Sequence, residues 1–170
     1  MVANLSSHKR GWDDRWEEFS DWAERGKACH DELLALIDRD TDAFNGIMAA
    51  FGLPRGNDEE AATRDEAIQA ATRRAIEVPL RVMEVSLESL DVIEAMAEHG
   101  NPASVSDAGV GALCARSAVM GAYLNVKINT GDLTDQYAAA GYLERGAAMQ
   151  REAVETEGRI LEIVRRKLDD

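Results

Sequence analysis

The chain has 170 residues, of which 45% are hydrophobic, and this is ample for one domain with a substantial core. A formal net charge of −13 argues against nucleic acid and anionic membrane surfaces as partners, because both attract basic rather than acidic proteins. No apolar run approaches the length of a membrane-spanning helix. The two cysteines, Cys29 and Cys114, and the three histidines show neither disulfide nor metal-ligand spacing. We therefore expect a cytoplasmic protein without a metal site.

The hydrophobic spacing is helical along the whole chain, which predicts an all-α fold. Helices are predicted over residues 13–51, 58–99, 102–129 and 134–168, separated by short turns that contain glycine. Because short turns join neighbouring helices that run in opposite directions, we expect an antiparallel bundle of long helices. Pro79 lies in the middle of the second helix and should kink it, since proline removes one helical hydrogen bond.

The first helix carries two apolar patterns. Near its start, aromatic residues at helical spacing predict hydrophobic packing rather than a ligand cage: Trp12, Trp16 and Phe19. Further along, a second apolar stripe is formed by Leu33, Ile37, Phe44, Ile47 and Phe51. Asp40 lies at the centre of this stripe, where a buried carboxylate is costly unless it is paired or protonated. We expect Asp40 to be largely buried, either in a structural pair or as an acid and base in catalysis.

The third helix carries a stripe of small and polar residues. On a helical wheel these residues lie within about 40° of one line: Asp107, Gly111, Cys114, Ala118, Gly121, Asn125 and Asn129. The small residues allow close approach of another helix or of a flat ligand, and the carboxylate and amides supply directional hydrogen bonds. Two interpretations remain open, a tight helix crossing or dimer seam and a ligand site. Asn129 also fits a helix C-cap.

Four segments of the chain, at residues 36–45, 77–80, 100–107 and 121–129, form a recognisable combination. Together they resemble the formiminotetrahydrofolate cyclodeaminase / methenyltetrahydrofolate cyclohydrolase family. This family includes the helical domain that follows the transferase in formiminotransferase-cyclodeaminase. The order of the four segments and the loop lengths between them match the family along essentially the whole chain.

The resemblance implies an all-helical domain that forms a homodimer or larger homo-oligomer and binds reduced folate in a cleft near the subunit contact. It implies conversion of 5-formiminotetrahydrofolate to 5,10-methenyltetrahydrofolate and ammonia, without a tightly bound cofactor. A formiminotransferase domain is an implied partner. Hydrolysis of methenyltetrahydrofolate is the alternative within the family, and a non-catalytic helical oligomerisation module is the alternative outside it.

The resemblance also assigns roles to individual residues. Asp40 matches the catalytic acid proposed for the family, and the segment around Lys9 resembles a basic segment that is a candidate for the glutamate or polyglutamate tail of the folate. Asp107 is the candidate partner of the pterin ring. The candidate substrate-binding residues are Lys9, Asn101, Ser106, Asp107, Asn125 and Asn129.

The N-terminus departs from the family pattern. Members of the family normally begin with a glycine-rich turn and a helix of small residues. Residues 1–5 of the present chain resemble the tail of that helix. We therefore expect residues 1–170 to be a single cyclodeaminase-like domain that is truncated at its N-terminus, with one wall of the folate cleft missing.

Overall fold

The computed structural model describes residues 1–11 and 13–169, and within them the secondary structure is helical, without strands. The α-helices are α1 (Val2–Ser7), α2 (Trp16–Phe51), α3 (Asp58–His99), α4 (Val105–Thr130) and α5 (Gln136–Asp169). A single turn of 3-10 helix precedes α2, at Asp13–Arg15, and another precedes α4, at Pro102–Ser104. The all-α prediction and the four long helices are confirmed. Across the same residues, no helix is both long enough and apolar enough to cross a membrane.

The short helix α1 comprises six residues. It packs on the start of α2 and on α3 through a small cluster of buried residues: Val2, Ala3, Phe19 and Met96. Phe19 is fully buried, as predicted from the aromatic spacing, whereas Trp16 is exposed. Trp12 lies outside the described residues.

The main core is formed by α3, α4 and α5. Its most deeply buried residues are Ile76, Met83, Val119, Val126 and Ile160. Helix α2 contributes none of the described residues of this core and packs mainly along α3. It does so through Leu36, Ala43 and Ala50, whose seven-residue spacing places them on one side of the helix. Helix α2 is therefore an outer helix of the bundle, with much of its surface uncovered.

An ionic cluster holds α2 against α3. The Arg81 guanidinium donates two hydrogen bonds of 2.8 Å to the Glu32 carboxylate across the two helices. It also donates to Glu84 and Glu88 on its own helix, each at 3.1 Å. The hydrogen bonds from Arg81 lower the pKa of Glu32 below its ordinary value. Because this pairing is bidentate, it fixes the lengthwise register of α2 on α3.

Helix α3 continues through Pro79 as one helix. Proline has no N–H, so the carbonyl of Ala75, four residues earlier, lacks its usual helical donor. The side-chain amide of Asn129 in α4 donates to that carbonyl at 2.8 Å. A proline in the middle of a helix is thus accommodated by a neighbouring side chain. The bend expected at Pro79 stays a prediction.

Candidate functional site

A cavity of about 510 Å³ lies where the start of α1, the first half of α2, the last part of α3 and the start of α4 meet. Its apolar wall includes Trp22, Val92, Ile93 and Met96. Gly26 faces Val92, and a Cβ atom built on this glycine would lie 3.5 Å from the valine side chain. The volume is in the range of pockets that hold small molecules or cofactors.

Four polar residues from three helices reach this cavity: Asn4, Lys27, His30 and Asp107. Lys27 and His30 share one carboxylate, since Lys27 Nζ lies 2.5 Å from one oxygen of Asp31 and His30 Nδ1 lies 3.2 Å from the other. The hydrogen bond from Lys27, followed by that from His30, lowers the pKa of Asp31. Asp107, in the first turn of α4, supplies a further carboxylate to the cavity lining. The cavity therefore offers an apolar wall with a few polar groups, as a site for a flat heterocycle requires.

Lys9 and Asn101 are brought together in the fold, although 92 residues separate them in the sequence. Lys9 Nζ donates to the Asn101 side-chain oxygen at 2.6 Å. The Asn101 backbone N–H donates to the hydroxyl of Ser6, which is fully buried, at 2.7 Å. The same Asn101 oxygen accepts from the Ala103 backbone N–H at 3.1 Å. These contacts dock the segment after α1 onto the α3–α4 junction.

The predicted stripe of α4 is divided between two environments. Gly111 packs against Ile93 of α3, whereas nothing lies within 4 Å of a Cβ atom built on Gly121. Asp107 and Asn125 are both exposed, but 18 residues separate them, which is about 27 Å along a helix. They cannot contact the same pterin ring within one chain. The side-chain amide of Asn129 already donates a hydrogen bond to the Ala75 carbonyl. Ser106 is exposed next to Asp107.

The expectation that Asp40 is buried is wrong for the single chain, in which Asp40 is exposed. Its neighbours on the apolar stripe, Ile37 and Phe44, are each 62% exposed. The physical reason is the outer position of α2, because the stripe around Asp40 faces no other helix. Asp40 also lies 10 residues beyond His30, about 15 Å along α2, and it does not line the cavity.

Sequence reasoning missed several residues of the cavity. Trp22, Gly26 and His30 are spaced four residues apart along α2 and therefore lie on one side of that helix. The glycine leaves space between the indole ring and the imidazole. This pattern was the available signal. Asn4 and Lys27 carried no comparable signal. Within residues 1–11 and 13–169, no group of three or more acidic, histidine or cysteine side chains is placed to hold a metal ion.

The sequence of this helical domain is similar to those of known enzymes of folate metabolism. The sequence profile described as formiminotransferase-cyclodeaminase matches residues 1–148. A methenyltetrahydrofolate cyclohydrolase of Methylorubrum extorquens is 35% identical over 169 residues, which is 99% of this chain and 81% of that protein. A formimidoyltransferase-cyclodeaminase of Gallus gallus is 42% identical over 107 residues, which is 62% of this chain and 20% of that larger protein.

A solved structure shares the fold. The formiminotetrahydrofolate cyclodeaminase of Thermotoga maritima superposes with a TM-score of 0.84 at 24% identity, covering 99% of this chain and 80% of that one. The fold and the profile match together define the class of helical cyclodeaminase/cyclohydrolase domains. The chain belongs to the formiminotransferase-cyclodeaminase family.

Proposed function

We propose that the chain binds a reduced folate in the cavity at Asp107 and makes or opens the one-carbon bridge between N5 and N10. The observation that carries this proposal is the cavity itself, which has a volume of about 510 Å³ and is lined by Asp107 together with apolar residues. A carboxylate accepts two parallel hydrogen bonds, which suits the 2-amino group and the adjacent ring N–H of a pterin. Membership of the family supports the same substrate class.

Two reactions fit this substrate. In the cyclodeaminase reaction, N10 attacks the formimino carbon of 5-formiminotetrahydrofolate and gives a tetrahedral carbon. Ammonia then leaves after protonation, and 5,10-methenyltetrahydrofolate is formed. In the cyclohydrolase reaction, water attacks the methenyl carbon, the bond from that carbon to N5 breaks, and 10-formyltetrahydrofolate is released. Both reactions need one group that accepts a proton from the nucleophile and returns it to the leaving nitrogen.

The cyclohydrolase reaction is favoured by one specific observation. The Methylorubrum extorquens protein is similar over 99% of this chain and is described as a methenyltetrahydrofolate cyclohydrolase. The formimidoyltransferase-cyclodeaminases match over about a fifth of their length, so their whole activity includes regions with no counterpart here. A formiminotransferase partner is therefore proposed only together with the cyclodeaminase reaction.

Asp40 is the proposed acid and base, on the strength of the family resemblance. In one chain it lies outside the cavity, so this role requires that a second chain or a further segment bring it next to the substrate. Lys9 contacts Asn101 and is not among the residues that line the cavity, whereas Lys27 lines it, with its ammonium 2.5 Å from the Asp31 carboxylate. We propose Lys27 for the contact with the folate carboxylates in addition to Lys9.

The experiment is a pair of assays on the purified chain. One follows ammonia release from 5-formiminotetrahydrofolate, and the other follows loss of 5,10-methenyltetrahydrofolate and appearance of 10-formyltetrahydrofolate. Acceleration in the second assay alone identifies a cyclohydrolase, and acceleration in the first identifies a cyclodeaminase. No acceleration in either assay, together with no binding of reduced folate, contradicts the proposal.

A further inference from the structure

The direction in which the helices around the cavity run determines which of its residues lie at the same end. Helices α2, α3 and α4 follow one another through short connections and pack side by side, α2 on α3 and α3 on α4. Each of the three therefore runs antiparallel to the helix before it. As a result, α2 and α4 run in the same direction.

Two glycines mark one level of the cavity. Gly26 of α2 and Gly111 of α4 pack against residues 92 and 93 of α3, and a Cβ atom built on either glycine would lie 3.5 Å from the α3 side chain. Trp22 precedes Gly26 by four residues, and Asp107 precedes Gly111 by four, which is about 6 Å along each helix. Because α2 and α4 run in the same direction, Trp22 and Asp107 lie at the same end of the cavity.

The other end of the cavity holds two basic side chains. Lys27 lies one residue beyond Gly26 on α2, and His30 lies four residues beyond it. Both line the cavity, whereas the Asp31 carboxylate that contacts them does not. Trp22 and His30 are separated by eight residues, about 12 Å along the helix. The cavity thus has an indole and a carboxylate at one end, and an imidazole and an ammonium towards the other.

The indole of Trp22 is a fixed platform. It packs against the buried cluster that α1 forms with Phe19 and Met96. The central carbon of the Arg25 guanidinium lies 4.5 Å from the centroid of the indole ring, and Arg25 also pairs with Asp91 at 3.7 Å. Arg25 does not line the cavity, so it covers the ring from outside and leaves the other face for a ligand. A flat ring can stack on such a platform with little loss of side-chain freedom.

We propose that a bound folate lies in the cavity in one direction, with its pterin ring stacked on Trp22 beside Asp107 and its tail directed past Gly26 to the basic end. In this direction, which rests on the proposed function, Asp107 accepts from the 2-amino edge of the ring while Trp22 covers its face. The carboxylates of the tail point towards the basic side chains. The one-carbon bridge, which joins the ring to the tail, comes to the level of Gly26, where the glycine presents no side chain.

The first test uses the fluorescence of Trp22 and a tetrahydropterin that lacks the aminobenzoylglutamate tail. Trp12→Phe together with Trp16→Phe leaves Trp22 as the only tryptophan of the chain. The tail-less pterin is expected to quench this variant, because its ring stacks on the indole. A chain that keeps only Trp16, which does not line the cavity, is the matched control and corrects for absorption by the ligand. Equal quenching in the two chains, or none in the Trp22 chain, overturns the proposal.

The second test measures the affinity for 5-formyltetrahydrofolate by calorimetry. Trp22→Leu keeps an apolar side chain but loses the stacking ring, so it should bind about tenfold more weakly, whereas Trp22→Phe should bind nearly as well as the wild type. If the wild type and Trp22→Leu bind the folate equally well, the direction is wrong although the proposed function stands. If the wild type binds no reduced folate, the proposed function fails and the direction fails with it.

The third test follows the path of the tail with two variants of one glycine. Gly26→Leu places a side chain where the tail passes, so it should weaken the binding of 5-formyltetrahydrofolate about tenfold or more. The tail-less pterin should still quench Trp22 to the same extent. Gly26→Ala is the matched milder variant and should bind both ligands, because its Cβ atom meets Val92 at an ordinary contact distance of 3.5 Å. Unchanged affinity of Gly26→Leu for the folate, or an equal loss of the tail-less pterin, overturns the proposed direction.

Discussion

The Asn129 side-chain amide donates a 2.8 Å hydrogen bond to the carbonyl of Ala75, the carbonyl that Pro79 deprives of its helical donor. The contact joins one segment that carries the family resemblance, residues 121–129 of α4, to the turn of α3 that precedes another, residues 77–80. The carboxamide of Asn129 therefore stabilises the contact between α3 and α4. The sequence pattern had suggested ligand binding for this residue.

Replacement of Asn129 by alanine should destabilise the fold by about 1–3 kcal/mol, because the buried Ala75 carbonyl loses the side-chain amide that donates to it. Urea unfolding measures this change. Asn125→Ala, one turn earlier on the exposed side of α4, is the control and should change stability by no more than about 0.5 kcal/mol. In a Pro79→Ala background the backbone N–H returns, so the same Asn129→Ala substitution should cost less. An equal cost in both backgrounds would contradict the coupling.

Asn101→Ala should loosen the N-terminal segment without unfolding the bundle. The substitution removes the oxygen that accepts from Lys9 and from the Ala103 N–H, while the main core of α3, α4 and α5 is untouched. Hydrogen exchange should become faster in α1 and in residues 8–11, and slow exchange should persist in α4. Uniform acceleration across all the helices would show that this contact supports the whole fold instead.

The Glu32–Arg81 pair should make stability depend on pH in the acid range. Hydrogen bonding to Arg81 lowers the pKa of Glu32 in the folded state, so its contribution is fully present above the ordinary glutamate value of 4.5. The contribution is lost as pH falls through the lowered folded-state pKa. The stability difference between wild type and Glu32→Gln should therefore be present at pH 7 and vanish in strong acid. Glu24→Gln removes the same charge from an exposed position of the same helix and is the matched control, for which the smaller change of stability at pH 7 is expected.

Much of the fold followed from the sequence, because long amphipathic helices and glycine-containing turns are local features. The environment of Asp40 did not follow. A helical stripe shows which residues share one side of α2, but it cannot show whether another helix covers that side. Here α2 is an outer helix, so Ile37 and Phe44 remain exposed around the carboxylate.

The cavity was only partly predictable for a related reason. Asp107 was identified from its polar character in a stripe of small residues. Its neighbours Asn4 and His30 come from α1 and α2, and the docking of α1 decides that they meet. That docking depends on contacts such as Asn101 with Ser6, which join residues 95 positions apart and leave no periodic pattern in the sequence.

Asp40→Asn and Asp107→Asn should each abolish turnover for a different reason. The first variant should bind folate normally but turn it over about 100-fold or more slowly, since a positioned acid and base contributes at least that factor. The second should fail at binding. If the two carboxylates come from different chains, mixing the two inactive variants and allowing subunits to exchange should restore part of the activity. Failure of the mixture to recover activity, although the two variants exchange subunits, would contradict a site that is shared between two chains.

The most direct test of the central claim is the affinity of a stable reduced folate, such as 5-formyltetrahydrofolate, for wild type and Asp107→Asn. Calorimetric titration should detect binding to the wild-type chain. Loss of the carboxylate should weaken it about tenfold or more, since a hydrogen bond to a charged group contributes about 1.5–3 kcal/mol. Asp132→Asn, an exposed carboxylate far from the cavity, should bind like the wild type. Equal affinity of the wild type and Asp107→Asn, or no binding by the wild type, would contradict a folate site at this cavity.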